Sequence, residues 1–155
     1  MSQLSQPPLR VRLDAIPWSN FRTCLGPADK MGEVLERLAS TDSAAALAAS
    51  RELWCDLVSG GIGPPPVAIH ALPFVLDVLP QAGEQLTTEL LELVWRCVHF
   101  DRPDEMGTLQ ELRHMVIAQR TRLFGYVTDP NQEIAELAKD ILADIGEKTV
   151  ISKPA

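Results

Sequence analysis

The sequence predicts an all-α protein: a short right-handed solenoid of about three stacked helix pairs, entered through an N-terminal extended arm and a short helix. Three observations lead there. Leu and Ala dominate the apolar residues while aromatics make up only 5% of the 155 residues, a mix that suits helices packed through aliphatic faces better than a β-sandwich. Apolar side chains recur at helical spacing between clear breakers. The pattern also repeats. A shift of about 41 positions brings Met31, Val34, Leu35 and Leu38 onto Leu72, Val75, Leu76 and Leu79. The same shift brings Leu53, Trp54 and Leu57 onto Val94, Trp95 and Val98. That period falls among the α-solenoids built from helix pairs, and Trp54 and Trp95 are expected to be buried at equivalent positions.

Taken in order, residues 1–8 read as a disordered lead-in closed by Pro7-Pro8. Leu9, Val11 and Leu13 alternate with Arg10, Arg12 and Asp14, the period of an extended arm laid against helices. Trp18-Ser19 reads as a staple and N-cap for a short helix through Phe21 and Leu25, ended by Gly26-Pro27. A helix then presents Met31, Val34, Leu35 and Leu38 on one face, and Ser40, Thr41 and Asp42 offer caps for a second running to about Val58. Gly60, Gly61, Gly63 and Pro64-Pro65-Pro66 stop it. A third helix, Pro66 to Leu79, carries Pro73 inside and should kink there. A fourth opens at Gly83-Glu84 and runs through Val98.

After a charged loop, Thr108-x-x-Glu111 reads as a capping box for a fifth helix with Leu109, Leu112, Val116 and Phe124 inward, ended by Gly125. Asp129-Pro130 reads as cap and first-turn proline of a sixth helix through Ile145. Residues 147–155 form a loose tail, which leaves a single helical domain over 9–146.

Composition narrows the chemistry. A net charge of −7 and a pI near 4.9 repel phosphate backbones, so nucleic acid is a poor partner. Cys24, Cys55 and Cys97 are odd in number and widely spaced, as reduced thiols would be. No basic region followed by an apolar run opens the chain, and no stretch is long and apolar enough to span a bilayer, so a cytoplasmic protein is expected. Gly60-Gly61-Ile62-Gly63 is followed by three prolines and preceded by no strand, so it matches no phosphate-binding loop. His70, His99 and His114 are scattered, with no metal-ligand spacing. The expectation is therefore a non-enzyme with no catalytic residues, cofactor, metal or small-molecule substrate.

Charge is unevenly placed. From Asp129 to Glu147 there are six acidic residues and one basic, Lys139, whereas the fifth helix carries Arg113, Arg120 and Arg122. Glu52 and Asp56 stand one turn apart on the second helix. Glu89, Glu92 and Arg96 share a face of the fourth, as do Glu133, Glu136 and Asp140 on the sixth. Stacking would align these rows into an acidic surface able to steer a basic protein partner.

Ile16-Pro17-Trp18, Gly26-Pro27-Ala28 and above all Ala71-Leu72-Pro73-Phe74-Val75-Leu76 resemble small bacterial HEAT-repeat proteins, as does Asp129-Pro130 with Ile134-Ala135 and Leu137-Ala138. The resemblance covers about residues 14–146. It implies stacked helix pairs presenting a curved surface to another protein, and the Ser59–Pro66 loop departs from that pattern. Together with the acidic rows it favours an immunity protein that neutralises a basic toxin effector. The alternatives are an adaptor or regulatory subunit of an enzyme complex and, against the charge, a nucleic-acid-binding HEAT protein that would need Arg113, Arg120 and Arg122 in a basic groove.

Overall fold

A computed structural model describes residues 6–60, 63–100 and 107–149. Among the described residues the chain is all-helical. Its α-helices are α1 (Leu9–Asp14), α2 (Met31–Leu38), α3 (Ser43–Val58), α4 (Ala68–Val78), α5 (Glu84–His99), α6 (Thr108–Ile117), α7 (Arg120–Tyr126) and α8 (Gln132–Thr149). Short 3-10 turns lie at Trp18–Asn20 and Leu79–Gln81. No helix among the described residues is long and apolar enough to cross a membrane.

Helices α2, α4 and α6 pack in chain order as one layer, and α3, α5 and α8 as another, with α7 against α8. The second layer is parallel. Arg51 and Trp54 of α3 meet Glu89 and Arg96 of α5 in the same order. The start of α5 shares a cleft with Asp129 and Ile134 at the head of α8, and its end meets Asp144. The aliphatic stripes read from the sequence close the core between the layers. Met31, Leu35, Leu38, Leu53, Leu57, Leu72, Val75, Leu79, Val94 and Val98 are all buried.

The N-terminal arm is a correction. Leu9 to Asp14 is helical, not extended, because Leu9 and Leu13 are also one helical turn apart and α1 docks that edge on α2. The alternation hid a helix whose third apolar residue, Val11, faces solvent. Ion pairs hold it in place: Arg10 with Asp14 and Glu36, and Arg12 with Asp77, with the Arg12 guanidinium also over the Phe74 ring. The short helix after Trp18 is likewise a single 3-10 turn followed by a tight excursion from Phe21 to Ala28, closed by Thr23 N–H donating to Gly26 O at 2.6 Å. Trp18 anchors the excursion. Its indole N–H donates to Leu13 O at 2.9 Å, and the ring lies on Gly32, where a Cβ would come within 3.2 Å of it.

Helix ends differ from the sequence reading in four places. Of the three caps offered by the sequence, Asp42 is the one used at α3, accepting from Ala44 and Ala45 N–H. Thr108, however, caps nothing: Gly107, in the left-handed region at φ 72, precedes α6, and Thr108 is buried within its first turn. The long fifth helix is instead two helices, α6 and α7, broken at Ala118-Gln119. The break shifts the register, so Leu123 is buried and Phe124 is exposed. Asn131, not Asp129, caps α8, its side-chain oxygen accepting from Glu133 and Ile134 N–H, while Asp129 accepts from Asn131 N–H. Helix α4 runs through Pro73, whose ring is exposed. The backbone of α8 continues to Thr149, past the boundary expected at 146. The expected lead-in over 1–5, the tail over 150–155, Gly61-Ile62 and most of the 99–107 loop lie outside the described residues.

Candidate protein-binding surface

The eight residues singled out from the sequence fall into three places. Glu52 and Asp56 line a cleft of about 700 Å³ between α2, α3 and the Phe21–Ala28 excursion, with Leu25, Pro27, Met31 and Val34. Glu52 is paired there with Arg37 at 2.5 Å. Burial, then the nearby Glu52 charge, raise the Asp56 carboxyl above its ordinary value, and the Thr23 hydroxyl pulls the other way. Glu89, Glu92 and Arg96 lie on the outer side of α5, with Glu89 3.7 Å from Arg51. Glu133, Glu136 and Asp140 are exposed on α8, with Glu136 3.7 Å from Lys139. Glu92, Glu133 and Asp140 have no cation within salt-bridge distance among the described residues.

What the charge pattern did not reveal is an aromatic ladder running across that layer. The Arg96 guanidinium lies 5.6 Å from the Trp54 ring centroid and 5.4 Å from that of Trp95. Trp95 stacks on His99 at 4.3 Å with 29° between planes, and His99 Nδ1 is 3.0 Å from Asp144 Oδ2. One continuous line therefore joins α3, α5 and α8. Both tryptophans are half-buried rather than buried, a correction to the repeat reading: they pack against the core and also lie beside the Arg96 guanidinium. The sequence signal for this was present in the 41-residue Trp offset and in Arg96 and His99 one turn along from Glu92 and Trp95. Reading the tryptophans as core concealed it.

The basic helix is spent on structure. Arg113 Nε donates to Val98 O at 3.0 Å and its Nη2 to Phe100 O, covering carbonyls at the C-terminal end of α5. Arg122 Nη1 donates to Leu76 O at 3.1 Å, late in α4, with Tyr126 Oη donating nearby to Leu79 O at 3.4 Å. His70 packs on Phe21 at 4.7 Å, and His114 is exposed. Among the described residues no group of three or more His, Cys, Asp or Glu side chains is arranged to hold a metal ion. No protein-family model, curated protein or solved structure matches the chain.

Proposed function

We propose that this chain is a protein-binding scaffold of HEAT-like solenoid type, and that it acts as an immunity protein holding a basic toxin effector on the face of α3, α5 and α8. The two layers packed in chain order, with a parallel outer stack, support the solenoid reading. The observation that carries the binding role is the Trp54–Arg96–Trp95–His99 ladder together with Glu92 and Asp140, which pair with no cation among the described residues. Tryptophan and arginine dominate binding energy at interfaces, and a ring of uncompensated carboxylates accelerates encounter with a basic protein. Asp140 precedes Asp144 by one turn as Trp95 precedes His99, so on parallel helices the His99–Asp144 contact brings that carboxylate toward the ladder. The surface is then apolar at its centre and acidic at its edge. The adaptor reading would use the same face in a lasting assembly. The gene beside this one separates the two, a toxin-like reading frame favouring immunity and a metabolic operon the adaptor.

Affinity capture from native lysate with the wild type and with Glu92→Lys/Asp140→Lys tests the reading. A basic protein should be recovered by the wild type, released as salt rises, and recovered several-fold less by the double reversal. Screening acts on such rim charges beyond about 8 Å at physiological ionic strength. Equal recovery by both forms, or a partner indifferent to salt, refutes the acidic-rim assignment.

A further inference from the structure

The rim carboxylates account for a basic partner but leave the centre of the surface, Arg96, unexplained. Its Nε is buried from solvent and has no hydrogen-bond partner. Glu92 stands one turn before Arg96, the spacing at which a carboxylate most readily captures a cation on a helix, yet no ion pair forms between them. The guanidinium has turned instead onto the faces of Trp54 and Trp95. An arginine held this way has lost rotamer freedom already, and Arg96, itself half-buried, takes no acceptor for its planar N–H fork among the described contacts. A fork of that kind matches a carboxylate in a bidentate pair. The neighbouring carboxylates are committed elsewhere or left outward: Glu89 to Arg51, Asp144 to His99.

We infer that Arg96 is the receptor for a single carboxylate of the protein partner, an Asp or Glu set among basic and apolar residues, with the apolar residues lying on Trp54 and Trp95. This rests on the protein-binding reading above and specifies its centre. The acidic rim rejects a partner that is acidic throughout. The unfilled donors of Arg96 favour one that brings a carboxylate to this point over one that is uniformly basic. The described contacts supply no such acceptor from within the chain.

Two blocked peptides, acetyl-Lys-Leu-Asp-Leu-Lys-amide and the same sequence with Asn at the centre, serve as probes of the full-length chain. Two-dimensional NMR follows the indole N–H signals of Trp54 and Trp95 and the Nε–H of Arg96. The Asp peptide should give saturable shifts confined to these signals, and the Asn peptide should bind about tenfold more weakly. The Arg96→Gln variant, checked for an unchanged circular dichroism spectrum, should abolish the difference between the peptides, and Arg96→Lys should restore only part of it. Equal affinity for both peptides, a difference that survives in Arg96→Gln, or no saturable shift with either peptide overturns the inference. The Glu92→Lys/Asp140→Lys variant keeps the two readings apart. It should weaken both peptides alike, and if it weakens neither while the Asp preference persists, the basic-partner reading falls and the Arg96 assignment stands.

Discussion

At the scale of single residues, side chains of similar type do different work according to where packing leaves them. Cys97 is fully buried and its thiol is pushed up to about 12 by burial first, with a smaller contribution from Cys24, whereas Cys55 is exposed. Only a thiolate alkylates. In native protein at pH 8, iodoacetamide should therefore label Cys55 within minutes and leave Cys97 unmodified until denaturant is added, and peptide mass spectrometry reads both. Labelling of the two at equal rates would contradict the packing of α5. Asp56 offers a pH test. Its folded value lies above the ordinary aspartate value of 3.8, so the folded state holds this proton more tightly than the unfolded one. Stability from this group is thus greatest at low pH and falls as pH rises from 3.8 through the raised folded value. Asp56→Asn removes both the charge and its repulsion by Glu52. The variant should melt at a higher temperature than the wild type at pH 7 and lose that advantage in acid. A lower melting temperature at pH 7 would mean that the Asp56 charge serves the fold.

At the scale of elements, helix faces were more legible than helix ends. The stripes Met31-Val34-Leu35-Leu38 and Leu90-Leu91-Val94-Val98 are buried as their spacing implies, because a 3.6-residue period is a property of the chain alone. Ends depend on neighbours. Thr108 could cap by type, but its burial in the first turn of α6 leaves that role to Gly107. Leu9–Asp14 satisfies both the extended and the helical period, and only the proximity of α2 selects between them. Arg113 shows how one element terminates another. It covers Val98 and Phe100 carbonyls that α5 itself cannot satisfy. Arg113→Ala should cost roughly 1.5–3 kcal/mol in denaturant unfolding, the range for hydrogen bonds to a charged group. Arg120→Ala, on an exposed side chain, should change stability by no more than about 0.5 kcal/mol. Equal costs would remove the tethering role.

At the scale of the whole molecule, stability and surface both follow from the stacking of layers. Leu53 is completely buried on α3, which packs against α2 on one side and α5 on the other. Leu53→Ala should lower unfolding free energy by about 2–5 kcal/mol, a large part of the 5–15 kcal/mol usual for a domain. Unfolding followed by circular dichroism should remain a single transition with an unchanged denaturant slope. A second transition would mean that the layers come apart independently. The all-helical class, the main apolar faces, a cap within Ser40–Asp42 and the helix breakers at Gly60 and Pro64–Pro66 were determined by the sequence by itself, since each depends on residues within a turn or two of one another. The sequence also located the acidic rows on α5 and α8. Only the tertiary structure decided which charges are already neutralised, that Arg113 and Arg122 are spent on carbonyls, and that Trp54, Arg96, Trp95, His99 and Asp144 form one line across three helices. The reason is physical. A helix's own pattern says which side is apolar, but the contacts of a half-buried aromatic are set by the helix beside it, and the distance from Trp54 to Arg96 along the chain carries no record of their meeting.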